Sequence, residues 1–367
     1  MNRTTRQCSN GQQRLSNFLC QSDAFDLDNL PHHFLDFCRH SIEGIKGNIA
    51  YTSPLLHSAP SMDDVENSLD LESANGHLSE LEPLKSDRPV VAIDTSTIKL
   101  GELEDGTLCA LRGAIVWLDD DRYRYSRYGP LVFSLSNNPN ASFEELAILG
   151  LTPYTGETSL DIVIKRVRDV LERWLQYNVS STVQNGIILV DGSLTAGTPD
   201  NPVKDLDRIL QTARRAGSTV IAISKKTKLR IRNQSITRLL EHKSNPCLLD
   251  VDEEVSGQFP IYPVRFLGRV FVGKLAKGGF PFRIDVDRGV PLQGTLKSIR
   301  QLTGTDIVDQ GYPETLRMAH ILSTFTASEV LAMQVFTTNH FGVQLLPKLL
   351  LRRSLFGPFG TAWESYH

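Results

Sequence analysis

Cysteine is scarce in this chain: Cys8, Cys20, Cys38, Cys109 and Cys247 are the five in 367 residues, and no two have CxxC spacing. An odd, scattered count excludes a disulfide framework and reads as free thiols in a reducing compartment, so the expected address is cytoplasmic. Long apolar runs are missing as well. Nothing approaches the roughly 18 residues a spanning helix needs, and the polar start Met1–Gln13 has no apolar leader segment, so no membrane association is expected. Excess charge of one sign is absent too: 39 Lys and Arg against 42 Asp and Glu leave a net charge of -3. That excludes a protein that coats a polyanion by bulk charge and leaves only local basic patches. His32, His33, Cys38 and His40 lack the paired spacing of a zinc site and read as surface residues.

What is present is an ordinary globular composition, 40% hydrophobic and 22% charged, with enough chain for one large core or two small ones. Residues 1–88 read as an N-terminal helix, Leu30–Ile45, followed by an acidic, Ser/Pro-rich linker or insertion. The main domain is expected over 89–340, with 341–367 as a C-terminal tail. Its pattern predicts strands at Val90–Asp94, Leu108–Leu118 and Tyr123–Leu135, joined by short turns as an antiparallel meander. Helices near Ser142–Leu149 and at Leu160–Tyr177 follow. Strand Ile187–Asp191, helix Val203–Ala216 and strand Thr219–Ile223 then imply parallel pairing through crossovers. Beyond them come a short helix at Ser235–His242, strands at Val264–Val272 and Phe282–Val286, a helix near Thr295–Leu302 and a helical segment at Pro313–Thr338. A three-strand meander followed by alternating α/β elements is the order of a ribonuclease H-like, PIWI-like mixed-sheet core with a helical C-terminal segment.

Two acidic signatures stand at strand ends: Asp94-Thr95-Ser96 after Val90–Ile93, and Asp191-Gly192-Ser193 after Ile187–Val190. A carboxylate at the end of a buried strand is costly unless something such as a metal ion compensates it. Asp-x-Ser is also ordinary turn and cap chemistry. In the expected fold the first and fourth strands lie side by side, which brings Asp94 and Asp191 together. Two Mg²⁺ or Mn²⁺ ions, about 3.5–4 Å apart, need shared carboxylates of this kind. The intervening helix offers Asp161, Asp169 and Glu172 as a third acid. Glu172 is the choice, although it lies well off the Val163/Val167/Val170/Trp174 stripe and has to reach the sheet edge from the flank. The acid-free run Lys225, Lys226, Lys228, Arg230 and Arg232 directly follows a strand end, where α/β ligand sites gather, and suits phosphate binding. The alternation of Tyr123, Tyr125 and Tyr128 with arginines is either a stacking surface for bases or one wet strand face.

The strings VVAIDTSTIKLGELEDGTLCALRGAIVW, GIILVDGSLT, VIAISKKTKLR and GYPETLRMAH, in that order over Val90 to Asn339, resemble the NurA family, the 5′-to-3′ nucleases of DNA-end processing. The resemblance implies a Mn²⁺-dependent nuclease acting on DNA strands and ends, both as single-strand endonuclease and as exonuclease. It implies metal ligands at Asp94, Glu172 and Asp191, a C-terminal ligand at His320 and the family lysine at Lys225. It also implies a homodimer docked on a HerA-type hexameric ATPase. Thr95 stands where the family usually has glycine, and a positive φ there would strain it. A scaffold module on the same fold, or a nuclease directed at RNA, is the alternative.

Overall fold

The computed structural model describes residues 32–52, 69–71, 76–138, 146–149, 151, 159–198, 201–257 and 264–347. Helix α1, His32–Glu43, buries Phe34, Phe37, Cys38 and Ile42, so Cys38 is a core residue and not a surface one. Strands β1 (Ile49–Thr52) and β2 (Leu78–Glu80) precede the meander of β3 (Val90–Leu103), β4 (Gly106–Asp119) and β5 (Arg122–Ser136). Asp120 and Asp121, at φ 51° and 57°, make the two-residue turn between β4 and β5, a left-handed pair that matches strand twist. Next come α2 (Leu160–Thr182), β6 (Ile187–Asp191), α3 (Val203–Arg215) and β7 (Thr219–Ser224). They are followed by β8 (Cys247–Asp250), β9 (Gly268–Lys274), β10 (Pro281–Asp287) and α4 (Leu292–Thr305). Helices α5 (Glu314–Ser323) and α6 (Ala327–Phe341) and strand β11 (Gln344–Pro347) close the described chain.

One eleven-stranded mixed sheet runs in the order β11-β1-β3-β6-β7-β10-β9-β8-β2, with β4 paired to β3 and β5 to β4. The pairs β3–β6 and β6–β7 are parallel, the meander is antiparallel, and the expected mixed α/β architecture is the one observed. Successive residues of β6 and β7 face opposite layers. Ile188, Val190, Val220 and Ala222 join the core under α2 and α3, while Ile187, Leu189, Ile221 and Ile223 join the one under α4 and α5. Burial on both faces explains why these strands read as unbroken apolar runs.

Four further expectations change. The first strand does not stop at Asp94 but continues to Leu103, because β4 pairs along its whole length with a register shift between Lys99 and Gly101. Residues 76–88 pack on the core: β2 pairs with β8, Leu81 is buried, and the Leu84 amide bonds the Arg300 carbonyl at 2.7 Å. The helical segment after Pro313 is two helices, broken at Thr324–Thr326, where Thr326 and Glu329 form a capping box that starts α6. Residues 344–347 of the tail form β11, parallel to β1. Most of the helix expected near Ser142–Leu149, and residues 348–367, lie outside the described residues. No helix among the described residues is long and apolar enough to cross a membrane.

Candidate active site

Parallel pairing of β3 with β6 in the register Ile93↔Val190 sets Asp94 and Asp191 side by side where the two strands end their contact. The chain then leaves β6 through Gly192 at φ 110°, a conformation that strains any side chain. Thr95 needs no such freedom. It stays extended in β3 opposite Gly113, and a Cβ at Gly113 would stand 2.5 Å from Leu175 of α2. The missing side chain lets α2 approach the sheet closely, with its buried face running through Ile164, Val167, Leu171 and Leu175. Glu172 therefore reaches the site from the flank. The Thr95 hydroxyl donates to Glu172 Oε2 at 3.1 Å and Gln176 Nε2 donates to Oε1 at 2.9 Å. Thr95 is unstrained and gives Glu172 a hydrogen-bond partner.

Helix α5 brings the fourth group. His320 Nδ1 lies 3.1 Å from Asp94 Oδ2, and Ser323, one turn on, donates its hydroxyl to the same oxygen at 2.5 Å. Lys225, just past β7, pairs with Asp191 Oδ2 at 2.8 Å and sits 5.3 Å from the centre of the Tyr312 ring. Ligand atoms of Asp94, Asp191 and His320 all lie within 4.8 Å of one another. Glu172 is outside that trio but lines the same cleft of about 490 Å³. Desolvation pushes its carboxyl up to about 7, against the attraction of Arg168. Desolvation raises Asp191 as well, opposed by Lys225.

The other acids of α2 are engaged: Asp169 by Lys165 and Arg168, each at 2.9 Å, and Asp161 by Lys99 at 2.7 Å. Lys226 and Lys228 line the cleft beside Lys225. Arg230 does not, because it lies on the short strand Leu229–Ile231 that pairs with Leu69–Leu71. The tyrosines of β5 are outside the cleft too: Tyr123 donates to Asp306 at 2.7 Å and Tyr128 is buried edge-on against Trp174.

Two residues of the site escaped sequence reasoning. Ser323 carries a signal only in hindsight, its i+3 spacing from His320. Arg112 of β4 carries none. Buried to 4% exposure, it donates to the Thr324 carbonyl at 3.0 Å, pairs with Glu329 at 2.9 Å and lies 4.4 Å over Phe325, holding the break between α5 and α6.

Two carboxylates and an imidazole within such reach are a donor set suited to a divalent ion of the Mn²⁺ or Mg²⁺ kind, so the residues present fit a metal. Residues 88–323 match the family model described as the NurA domain. The chain belongs to the NurA domain family. It is accordingly a nuclease, and the NurA match ends at Ser323, the residue that bonds Asp94. No curated protein matches the chain. Among solved structures it is similar to the NurA nuclease from Sulfolobus solfataricus, at 14% identity over 71% of this chain and 87% of that one, TM-score 0.44. A NurA bound to dAMP and manganese is similar at 8% identity over 68% and 88%, TM-score 0.38. An endonuclease V from Bacillus subtilis is similar at 12% over 72% and 89%, TM-score 0.33.

Proposed function

We propose that this NurA-family nuclease hydrolyses phosphodiester bonds in DNA, as a single-strand endonuclease and 5′-to-3′ exonuclease of end processing, with two divalent ions, Mn²⁺ or Mg²⁺, per site. The observation that carries the reading is the convergence of Asp94, Asp191 and His320 beside the half-buried Glu172 in one cleft with Lys225, Lys226 and Lys228. Such ions, when bound, polarise a phosphoryl oxygen and make water a nucleophile at neutral pH. Asp94 and Asp191 would hold them, with His320 and Glu172 completing the shell. Ser323 fixes the rotamer of Asp94 through Oδ2. Lys225, which pairs with Asp191, would hold the scissile phosphate, and Lys226 and Lys228, which line the same cleft, would take flanking phosphates.

End-labelled single-stranded and duplex DNA, with a matched RNA strand beside them, is incubated with Mn²⁺, Mg²⁺ or chelator. Metal-dependent loss of DNA by the wild type and none by Asp191→Asn is expected; equal activity in that variant removes the assignment, and preference for RNA corrects the substrate. The same family reading makes the chain a homodimer that docks on a HerA-type ATPase. In support, α6 turns Leu331, Val335 and Phe336 to solvent next to β11. Sedimentation of the free protein and of its mixture with the ATPase tests both.

A further inference from the structure

Outside the cleft, the sheet carries an aromatic ring that the core does not use. Strand β10 runs antiparallel to β7 in the register Arg283↔Ser224, so the chain before Pro281 projects past the strand end that Lys225 and Lys226 follow. Phe282 of β10 packs edge-on against Tyr312, ring centres 5.4 Å apart, and Tyr312 is the ring beside Lys225. Phe280 stands two residues earlier, the interval that returns to the same side of a strand. At ordinary strand rise it lies about 10 Å past Ser224. Phe282 is half-buried, but Phe280 is 63% exposed. Its mount is nevertheless rigid. The Phe280 amide donates to the Gln310 carbonyl at 2.8 Å, and the chain approaches so closely that a Cβ at Gly311 would stand 2.5 Å from the Phe280 carbonyl oxygen and one at Gly279 would stand 2.6 Å from the Gly311 nitrogen. A ring left in water on a backbone held this firmly points to a ligand.

We propose that Phe280 is a stacking platform, remote from the carboxylates, for one base of the single DNA strand that runs to the cleft; the claim rests on the nuclease reading. The surroundings choose this occupant. Lys277, Gly278, Gly279, Gln310 and Gly311 around the ring are polar or glycine, which is not the apolar core a protein interface needs. Asp309 and Glu314 of the adjoining hairpin and helix start are both paired with Arg317, while Lys277, Lys225 and Lys226 are exposed, so the local charge favours a polyanion. An aromatic face beside basic groups is how single-strand sites are built, because every base has a face to stack and every link a phosphate. Such a platform has no preference among the four bases. It does separate strand from duplex, in which the base faces are already covered by their neighbours.

The test needs no cleavage. Fluorescence anisotropy of the full-length protein in chelator compares a labelled oligodeoxythymidylate, an oligomer of abasic sites of the same length, and a duplex. Phe280→Leu keeps an apolar side chain but removes the ring face; it should weaken the thymidylate strand by about tenfold and leave the abasic strand and the duplex unchanged. Phe280→Trp should keep wild-type affinity. Because no phosphate contact is lost, the salt slope of Phe280→Leu should equal that of the wild type. Equal binding of thymidylate and abasic strands by the wild type, unchanged thymidylate affinity in Phe280→Leu, or an equal loss on the abasic strand overturns the platform. A changed sedimentation coefficient of free Phe280→Leu overturns it too, since the ring would then meet a second copy of the chain. Base-dependent binding through Phe280 in a protein that cleaves no strand in any metal would keep the platform and reject the nuclease reading, and metal-dependent cleavage with binding indifferent to Phe280 would do the reverse.

Discussion

Asp94 shares one oxygen between the Ser323 hydroxyl and the His320 ring, so its orientation is set from α5 before any ion arrives. Ser323→Ala should weaken Mn²⁺ binding by about tenfold with an unchanged fold, as loss of a partner behind a metal ligand does, read by calorimetry. At Glu172 the pH dependence has a definite sign. Its carboxyl is raised from 4.5 to about 7 in the folded chain, so between those values the folded state holds a proton the unfolded state has lost. Stability of the metal-free protein should fall as pH rises through that window, and Glu172→Gln should flatten the fall in urea unfolding at pH 5 and pH 8. Thr95→Gly removes a hydrogen bond and a β-branched strand residue. A loss of about 1 kcal/mol is expected in the same measurement, with Glu172 less well held.

Helix α5 owes its position to the break before α6. Burial alone would raise Glu329, yet hydrogen bonds from Arg112 and from the Thr326 backbone draw its carboxyl down to about 2. A depressed carboxyl stabilises the fold above its unfolded value and loses that contribution as pH falls from about 4.5 towards 2, so Glu329→Gln should narrow the acid sensitivity seen in a melting series. Arg112→Met leaves Glu329 without its buried partner. It should cost about 3 kcal/mol and, because Thr324 borders His320 and Ser323, lower Mn²⁺ affinity as well. A mutation that only loosened the fold would leave that affinity unchanged once the protein is saturably folded. The element pattern itself was largely legible: apolar runs bounded by turn residues located the meander, the parallel strands and α2. The continuation of β3 past Asp94 was not, since acid, threonine and serine read as a turn until β4 pairs with them.

At the scale of the whole molecule the charges decide little in bulk and much in the cleft. Lys225→Ala, Lys226→Ala and Lys228→Ala should each reduce the salt dependence of DNA binding by about one unit of slope, whereas Arg230→Ala, outside the cleft, should not; fluorescence anisotropy across a salt series checks both. The two aspartates and the lysine run stand out in the chain because strand ends follow from local periodicity, and local periodicity is a property of sequence; His320 was singled out only by the family resemblance. Which acid of α2 faces the site was decided by the close approach of that helix at Gly113, and Ser323 and Arg112 entered only through contacts with residues 229 and 212 positions away. Such pairings depend on sheet register and on where one helix stops and another begins. Those are settled by packing of the whole core and not by any stretch of chain short enough to show a pattern.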